Sequence, residues 1–427
     1  MHGRRLLVLD TSHPLEYVRK NKLETSITCR NLGGYFDAVW TAHPFAPLVS
    51  SASWTTKNGR PVESTLAPGQ VYIEGKLGLL DGLGPGRFNF ALAQADVLAR
   101  LARLIRSHGI CVIRAGDPLL MGLYAWALSR VCGIPYLVRV GGNYERIRQE
   151  SGEPIMPRLF PTLGMERAIE QFVLQRADLV AGANGDNLRY AIEMGTPRER
   201  GTVFRYGNLI HPAHLVAPSD RKPGRELMGE LGIRGSLLLL CIGRLLPVKM
   251  PEHAVRVLAH VRSRGLDATL VMAGSGAMLE ELKRLAASLN VTEHVVFAGD
   301  RDQEWLARVI PTAAAVLSPF TGRALVEVAF GAAPTVAYDI DWQGELIESG
   351  VNGELVPLRD IDGFASATMR LLTDEAYARR LGNRLRETAL VMMSPEALDE
   401  HERCEYDRLF ERTGHTHLPR KARSDVG

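Results

Sequence analysis

Two cationic residues frame a short loop in the C-terminal half of the sequence. Arg244 closes the apolar run Ser236–Gly243, which has the composition of a buried strand, and Lys249 stands just before Pro251. Pro251 is suited to the first turn of the amphipathic segment that follows. A guanidinium offers a planar fork of donors and an ammonium offers a point charge, so together they suit a diphosphate. Two solvated loop cations would show the same spacing, and the pattern alone leaves both interpretations open.

A second stretch, Ser318–Gly331, combines the end of a strand with the start of an apolar helix. Thr321 is expected to cap this helix through its side chain. The free amides of the first turn would then form an anion site that a phosphate or a sugar can approach closely. Glu327 lies among apolar neighbours and needs a partner, either a cation or a pair of hydroxyls. The alternative is a helix with one narrow polar stripe. The residues expected to present those amides are Gly322, Arg323 and Ala324.

The elements that must position these residues alternate along the chain. In the second half, short apolar runs alternate with amphipathic runs, and strands that are apolar throughout are typical of a parallel sheet covered by helices. The first half follows the same pattern less regularly, and Ser51–Pro85 is expected to be a long irregular excursion. Ligands of open parallel sheets bind beyond the carboxyl ends of the strands, and two such units facing each other would form a deep cleft.

We therefore predict an α/β protein with two domains of similar size. Its parts are an N-terminal domain (1–212), a linker rich in Pro and charge (213–225), a C-terminal domain (226–390), and a C-terminal helix that packs back toward the N-terminal domain and ends in a basic tail (391–427).

Composition narrows the class of protein. A chain of 427 residues exceeds what one core usually serves. A hydrophobic share of 46% and a charged share of 23% exclude wholesale disorder, and a net charge of +3 does not favour a dedicated nucleic-acid binder. The five cysteines are scattered and form no C-x-x-C pair, which favours free thiols in a reducing compartment. With neither a signal peptide nor a spanning segment, we expect a soluble cytoplasmic protein.

The order of motifs in the second half resembles one enzyme family. G-R-L-x-x-x-K begins at Gly243, and A-G-x-G, V-x-F-x-G, S-P-x-T-G-x-A-L-V-E and G-x-x-G-E-L-V follow it in that order as far as Val356. This series resembles the retaining glycosyltransferases of family 4, which have the GT-B fold of two facing Rossmann-like domains. The likeness is strong over about residues 200–390 and looser in the first half.

The resemblance implies roles for the matched positions. Arg244 and Lys249 would hold the diphosphate of a nucleoside-diphosphate sugar, and Glu327 would bind the ribose hydroxyls of that donor. These three are the expected catalytic residues. The remaining donor-binding positions, near the base, the sugar and the phosphate, would be Gly243, Phe297, Gly299, Thr321, Gly322, Arg323 and Ala324.

Two departures from the family pattern stand out. Pro319 occupies the place of the first Glu of the E-x7-E motif, a residue that usually contacts sugar hydroxyls. Thr321 or Arg323 would then have to substitute for it. Many relatives also carry a His after the N-domain strand that ends near Val140, where this chain has Gly141, Gly142 and Asn143. A glycine-rich turn admits a ligand closely, and an ordinary tight turn is the alternative.

The N-terminal domain is expected to bind the acceptor. Its candidates are His13, Asp117, Gly141 and Asn143, all of which could equally be solvated surface residues. A helix with arginines at positions 100, 103 and 106 could rest on an anionic membrane at the inner face, and a plain surface helix is the alternative. No metal and no cofactor is implied, because the two cations would already do the work of a metal and the nucleotide sugar is a co-substrate. The three D-x-D tripeptides are interpreted as structural or surface features.

The function expected from the resemblance is retaining transfer of a hexosyl or pentosyl group from a nucleoside-diphosphate sugar to an acceptor hydroxyl, in the synthesis of a glycan or glycoconjugate. A nucleotide-sugar epimerase of the same fold is one alternative. A catalytically silent sugar-nucleotide binder is the other, motivated by Pro319 and Gly141.

Overall fold

The computed structural model describes residues 3–11, 13–45, 58–83, 86–206, 209–221, 226, 229, 231–233 and 237–415. It divides the chain into two compact units, which we call unit 1 and unit 2. Unit 1 takes in the residues up to Arg205 together with those from Glu396 onward, and unit 2 is Tyr206–Pro395.

Unit 1 is built on a sheet of eight strands. Its strands are β1 Arg5–Leu9, β2 Ala38–His43, β3 Val62–Ala67, β4 Gln70–Glu74, β5 Val112–Ala115, β6 Tyr136–Val140, β7 Leu179–Gly182 and β8 Gly201–Val203. Its helices are α1 Leu15–Lys20, α2 Thr25–Thr28, α3 Arg87–His108, α4 Leu120–Cys132, α5 Tyr144–Ser151, α6 Leu163–Arg176 and α7 Gly185–Glu193.

The strand order of this sheet is β3-β4-β2-β1-β5-β6-β7-β8, and among its described strands only the β3–β4 pair is antiparallel. Side chains of β1 alternate between two faces, so Leu7 and Leu9 pack in one apolar cluster while Leu6 and Val8 pack in another. Both faces are therefore covered, which confirms the predicted α/β class with its mainly parallel sheets.

The prediction of an irregular excursion over Ser51–Pro85 is wrong for its central part. Strands β3 and β4 lie there, and β4 pairs in parallel with β2 over Val39–His43. The polar composition of β3 is that of an exposed edge strand, which is half solvated and does not give the apolar run expected of a buried strand. Residues 51–57 and 84–85 of the predicted excursion lie outside the described residues.

Unit 2 is built on a parallel sheet of six strands in the order β11-β10-β9-β12-β13-β14. Its strands are β9 Leu237–Ile242, β10 Ala268–Ala273, β11 Val295–Gly299, β12 Ala315–Ser318, β13 Thr335–Tyr338 and β14 Glu354–Val356. The labelled helices of unit 2 are α8 Pro212–Leu215, α9 Pro251–Ser263, α10 Leu279–Ser288, α11 Gln303–Val309, α12 Arg323–Phe330, α13 Gln343–Leu346, α14 Ile361–Thr373 and α15 Glu375–Met392. Alternate residues of β9 pack in separate apolar clusters on the two faces of this sheet.

The segment that the sequence indicated as a linker is partly ordered against unit 2. It holds the end of α8 and a 3-10 turn at Pro218–Asp220. Arg221 donates hydrogen bonds to the main-chain oxygens of Ala307 (2.9 Å) and Phe330 (3.0 Å). Residues 222–225 of that segment are outside the described residues.

The last helix, α16 at Pro395–Thr413, belongs to unit 1. Tyr406 is fully buried and meets the ring of Phe36 edge to face at 5.0 Å between centroids. Arg114 on β5 donates to a Glu402 oxygen at 3.0 Å, and both side chains are buried. None of the described helices combines the length and the apolar character needed to cross a bilayer.

The buried Arg114–Glu402 pair should be essential to the docking of α16. Replacing Glu402 with Gln leaves an uncompensated buried guanidinium, and we expect the free energy of unfolding to fall by about 3–5 kcal/mol. The double variant Arg114→Met, Glu402→Leu should recover most of that loss because neither charge remains.

Denaturant titration followed by circular dichroism measures both changes. Lys283→Ala is the matched control, since its pair with Glu280 is exposed and its removal should change stability by less than about 1 kcal/mol. A Glu402→Gln variant as stable as this control would contradict the assignment.

Candidate functional site

The strand order in unit 2 creates a crevice at the carboxyl ends of the strands, between β9 and β12. The chain passes from β9 to β10 on one side and later returns to β12 on the other side of β9. The loops that leave β9 and β12 therefore diverge at their carboxyl ends, and open α/β sheets bind ligands at such a point. The two stretches singled out in the sequence, Gly243–Lys249 and Ser318–Gly322, are these two loops.

The loop after β9 lies directly on the loop after β10. Leu245 donates its amide to the Ser275 oxygen at 2.9 Å. A Cβ atom on Gly274 would stand 2.0 Å from the Gly243 oxygen, and one on Gly276 would stand 2.3 Å from the Leu245 oxygen. These two positions must be glycine because the main chain of one loop lies directly against the main chain of the other. The A-G-x-G motif therefore packs against the loop Gly243–Lys249, which carries the two cations.

Lys249 ends a 3-10 turn, Pro247–Lys249, and its charge is directed to the second loop. Its Nζ lies 4.0 Å from the centroid of the Phe320 ring, within the range of a cation–π contact. Met250, buried and left-handed at φ 49°, links this turn to α9. Arg244 is exposed, and no partner for its guanidinium is found in the part of the chain that the structure describes. The structure thus brings Lys249 to the Ser318–Gly322 loop and leaves the fork of Arg244 available.

The start of α12 differs from the prediction in one respect. The helix begins at Arg323 with Gly322 as its N-cap, so the prediction that Thr321 caps it is wrong. The Thr321 side chain is 5% exposed, and its hydroxyl has no hydrogen-bond partner among the described residues. The space beside Gly322 is open, since a Cβ atom at this position would have no neighbouring atom within 4 Å. The amides of Gly322, Arg323 and Ala324 make no hydrogen bond within the described ranges, as expected of a first turn.

Gln343 fixes the loop after β12, and sequence reasoning missed it. Its side chain is fully buried. Its Nε2 donates to the main-chain oxygens of Tyr338 (2.8 Å), Ser318 (3.3 Å) and Pro319 (3.4 Å), and its Oε1 accepts from the Thr321 amide at 2.7 Å. One side chain therefore holds the main chain from Ser318 to Thr321 in place and leaves the amides of the first turn of α12 without a partner among the described residues. A glutamine five residues after a strand end carried no signal that distinguished it from a surface residue.

Glu327 has the cationic partner that its apolar surroundings require. The carboxylate is 3% exposed, and its Oε1 accepts from Nε of Arg323, one helical turn earlier, at 3.1 Å. The neighbouring His214 is fully buried and lies 3.1 Å from Oε1 of Gln303. Burial lowers the pKa of His214, and the negative charge of Glu327 opposes that shift. The arrangement makes Glu327 a fixed acceptor at the second turn of α12.

Phe297 and Gly299 lie on β11, two strands away from β9. Phe297 is partly buried against the apolar cluster of unit 2, opposite Met272 in the register of β10 and β11. Gly299 has φ 67°, and its oxygen accepts from the Gly274 amide at 2.9 Å. Gly299 is thus joined to Gly274, which lies against the loop Gly243–Lys249. Neither Phe297 nor Gly299 adds a charged group to the site.

The acceptor-side candidates fall at two places on the sheet of unit 1. Asp117 follows β5, and its Oδ1 accepts from the amides of Leu119 (2.9 Å) and Met121 (3.2 Å), so it caps the start of α4. His13 follows β1, and its ring stacks on Tyr17 at 4.5 Å.

The other two candidates follow β6. Asn143 caps α5 by accepting from the Arg146 amide at 3.0 Å, and Gly141 is exposed with open space where a side chain would begin. Asp117 and Asn143 therefore have structural roles at helix starts, and Gly141 is the candidate with room for a ligand. No group of three or more His, Cys, Asp or Glu side chains able to hold a metal ion occurs among the described residues.

The burial of Asp117 should appear in the pH dependence of stability. Burial raises the pKa of Asp117 from 3.8 to about 6, against the opposing effect of its two amide donors, and the charges of Asp10 and Glu170 add to the rise. The folded state holds the proton more tightly than the unfolded chain, so ionisation between about pH 4 and pH 6 lowers stability. Asp117→Asn keeps the Oδ1 acceptor and cannot ionise. We expect this variant to gain about 1–3 kcal/mol relative to the unmodified protein as pH rises through that window.

Urea titrations across this pH range measure the difference. Asp267→Asn serves as the control because that carboxylate is largely exposed, and its stability difference should not vary in the same way. A flat difference for Asp117→Asn, or one that shrinks with rising pH, would rule out the buried-acid interpretation.

Comparison with known proteins gives a consistent family. A family model described as "Glycosyl transferases group 1" matches residues 225–388, and one described as "Glycosyl transferase 4-like domain" matches residues 36–207. The chain is 24% identical over 318 residues to an alpha-D-kanosaminyltransferase of Streptomyces kanamyceticus, covering 72% of this chain and 78% of that protein. It is 29% identical over 228 residues to a D-inositol 3-phosphate glycosyltransferase of Nocardia farcinica, covering 50% and 49% of the two chains.

Solved structures share the fold over nearly the whole chain. The Anabaena protein HepE, in complex with UDP and glucose, superposes with a TM-score of 0.71 at 15% identity, covering 95% of this chain and 100% of that one. A sucrose-phosphate synthase from Thermosynechococcus elongatus superposes with a TM-score of 0.73 at 17% identity, covering 96% and 100%. At these identities the likeness establishes the fold, and the two family models together take in most of the chain.

Proposed function

Because this chain belongs to the glycosyltransferases of the GT-B fold, we propose that it moves a glycosyl group from a nucleoside-diphosphate sugar to an acceptor hydroxyl with retention of anomeric configuration. The donor class is supported by the ligands of proteins with the same fold, since HepE is in complex with UDP and glucose in one structure and with UDP-glucose in another. The retaining outcome is supported by the family 4 resemblance of the motifs.

One observation carries the proposal for the donor. Lys249 stands over Phe320, two residues before the Gly322 cap of α12. A point charge and the positive end of a helix therefore lie at the same edge of the sheet, although they come from loops about 70 residues apart in sequence. Both stabilise an anion, the first by Coulomb attraction and the second through free amides and aligned peptide dipoles. A diphosphate is the anion that these groups suit.

The proposed mechanism uses these groups on the leaving group. Breaking the glycosidic bond leaves positive charge on the sugar, as in an oxocarbenium ion, and negative charge on the departing diphosphate. Lys249 is held over Phe320 and the loop before α12 is held by Gln343, so Lys249 and the first turn of α12 stabilise that charge with little reorganisation, and Arg244 adds a guanidinium from the same loop as Lys249. The acceptor attacks on the face that the phosphate leaves, and a phosphate oxygen takes the acceptor proton. This scheme requires no protein base.

The contacts to the rest of the donor are assigned to α12 and the residues before it. Arg323 occupies Oε1 of Glu327, so we assign the ribose hydroxyls to Oε2. Pro319 is buried and has no group to offer the sugar. The unpartnered hydroxyl of Thr321 supports it as the substitute contact for a sugar hydroxyl.

The cations should dominate turnover. We expect Arg244→Ala and Lys249→Ala each to lower kcat/KM by about 10²–10³, the usual cost of one preorganised contact to developing negative charge. The assay follows nucleotide release and glycosyl transfer with the donor that a thermal-shift screen of nucleotide sugars selects.

Arg262→Ala and Lys283→Ala are the matched controls, because Arg262 on α9 pairs with Asp267 and Lys283 on α10 pairs with Glu280. Both should keep full activity. Unchanged turnover in both Arg244→Ala and Lys249→Ala would make the diphosphate assignment wrong. Product analysis also separates transfer from epimerisation, which would yield an epimer of the nucleotide sugar.

The Thr321 hydroxyl is open to a separate test. Thr321→Val keeps the shape of the side chain and removes a hydroxyl that has no protein partner among the described residues. We expect donor KM to rise by up to about tenfold, the value of one uncharged hydrogen bond, with no loss of stability.

Thr335→Val is the contrasting variant. Its buried hydroxyl donates to the Ala333 oxygen at 2.9 Å, so its removal should lower stability and leave donor KM unchanged. If Thr321→Val lost stability and kept its KM, Thr321 would be a structural residue only.

A further inference from the structure

Met250, directly after Lys249, has a strained main chain. Its φ is 49° and its ψ is 44°, in the left-handed region that residues other than glycine rarely occupy. Pro251 follows it, and the residue before a proline normally prefers an extended conformation. Such a conformation persists only where the surrounding structure enforces it, which occurs most often at functional sites. Here it joins the turn that carries Lys249 to the first residue of α9.

Hydrogen bonds and packing hold Met250 in this conformation. Its amide donates to the Pro247 oxygen at 3.0 Å, and its oxygen accepts from the His253 amide at 3.2 Å. Its side chain is buried in the apolar cluster on one face of the unit 2 sheet. The turn that carries Lys249 is therefore fixed to the start of α9, and the placement of α9 decides where the ammonium lies.

A buried hydrogen bond between two side chains ties the start of α9 to the sheet. Nδ1 of His253 lies 2.9 Å from the hydroxyl of Tyr338, the last residue of β13. Both residues are buried, and their rings meet edge to face at 5.6 Å between centroids. The Tyr338 ring also packs on Phe364 of α14, at 4.7 Å between centroids. Because the bond is shielded from water and the tyrosine ring is fixed by packing, it limits the movement of α9 relative to β13.

Both side chains keep the protonation states that this bond requires. Burial lowers the pKa of His253, and the charges of Arg256 and Arg359 lower it further, so the imidazole is neutral at physiological pH. Burial raises the pKa of Tyr338, so its hydroxyl keeps the proton. The Glu252 carboxylate lies 3.6 Å from Nε2 of His253 and favours the ring proton on that nitrogen. Nδ1 is then the acceptor, and the Tyr338 hydroxyl donates to it.

Tyr338 also holds the second loop of the site, through its main chain. Its oxygen accepts from Nε2 of Gln343 at 2.8 Å, and Oε1 of Gln343 accepts from the Thr321 amide at 2.7 Å. The hydroxyl of Tyr338 therefore supports the loop that ends at Lys249, and its main-chain oxygen supports the loop before α12. One residue at the end of β13 thus connects the two loops that meet where Lys249 lies over Phe320.

We propose that Tyr338 and His253 are positioning residues for Lys249, because their hydrogen bond keeps the strained Met250 in place and so holds the ammonium against the loop before α12. The inference rests on the proposed function, since it assigns a role to residues that support the diphosphate site without contacting the ligand. A displacement of about 1 Å at a group that acts on the reacting centre costs up to about 10² in rate. Loss of the bond should therefore lower turnover although Lys249 itself is still present.

Removal of one hydroxyl tests the proposal. Tyr338→Phe keeps the ring and removes its hydrogen bond to His253. We expect kcat/KM to fall about tenfold, and the affinity for inorganic pyrophosphate, measured by isothermal titration calorimetry on the full chain, to fall about threefold. All measurements are made well below the unfolding midpoint of each variant, so that lost stability does not appear as lost activity.

Thr335→Val is the matched control, because it removes a buried hydroxyl from the other end of the same strand, where it donates to the Ala333 oxygen at 2.9 Å. It should lose stability and keep both kcat/KM and pyrophosphate affinity within about twofold. Equal losses of activity in Tyr338→Phe and Thr335→Val would show that the Tyr338 hydroxyl is structural only. Unchanged activity and affinity in Tyr338→Phe would also contradict the inference.

A double-mutant cycle shows whether Tyr338 acts through Lys249. In a Lys249→Ala background, Tyr338→Phe should change kcat/KM and pyrophosphate affinity by less than about twofold, because no ammonium remains to be displaced. The same loss in both backgrounds would overturn the inference. If Tyr338→Phe does not fold, two variants of His253 decide the question. His253→Asn keeps an acceptor near the place of Nδ1 and should retain more activity than His253→Leu, and equal activity in the two would overturn the inference.

Pyrophosphate binding separates this inference from the proposed function. If no nucleotide sugar is turned over and Lys249→Ala still weakens pyrophosphate binding, the proposed transfer reaction fails, and the cycle measured by binding alone supports or contradicts the positioning role. If the unmodified protein does not bind pyrophosphate, or Lys249→Ala leaves its binding unchanged, the diphosphate assignment is wrong and the positioning role is wrong with it.

Discussion

The strand order of each sheet is the constraint that decides where a ligand site can form. In each unit, the first strand along the chain pairs on one flank with the strand that follows it and on the other flank with a later strand. The carboxyl ends of neighbouring parallel strands lie at the same edge of a sheet, so two loops diverge there and open a crevice in which a ligand can bind. In unit 2 those loops carry Arg244, Lys249 and the start of α12, and in unit 1 they carry Asp10 and Asp117. Strand order thus selects which residues are able to meet a ligand.

The sequence predicted unit 2 well because its signals are local. A buried parallel strand is apolar along its whole length, and the loops after β9 and β12 begin where that run stops. The positions of Lys249 and Gly322 follow from those boundaries. The conformation of the loop before α12 could not be predicted in the same way, because Gln343 reaches this loop from another helix and its contacts are formed only by folding. Thr321 has the right residue type for a cap, and tertiary contacts override that preference.

Unit 1 was harder to predict because several of its elements are held by buried charge. Helix α5 is strongly polar, yet Arg148 within it is fully buried and donates to Glu166 at 2.8 Å and to Glu170. Glu166 also accepts from the amides of Ile155 and Met156. The network fixes α5 directly after the Gly141–Asn143 turn. Charges on two separate helices look like ordinary surface residues in a sequence, and only their convergence in the fold shows that they are structural.

The charges at the carboxyl end of the unit 2 sheet explain what a proline changes at position 319, where the family motif has a glutamate. Glu327 is balanced by Arg323, so the remaining field comes from Arg244, Lys249 and the first turn of α12, all of which are positive. A carboxylate at position 319 would stand beside Phe320 and Lys249 and would subtract from that field. With a buried proline at position 319 this negative charge is absent. Gln343, which is uncharged, donates a hydrogen bond to the main-chain oxygen of Pro319. In the proposed mechanism, this loop therefore favours stabilisation of the leaving diphosphate over side-chain recognition of the sugar. Selectivity for the sugar would then depend on main-chain groups and on the single hydroxyl of Thr321.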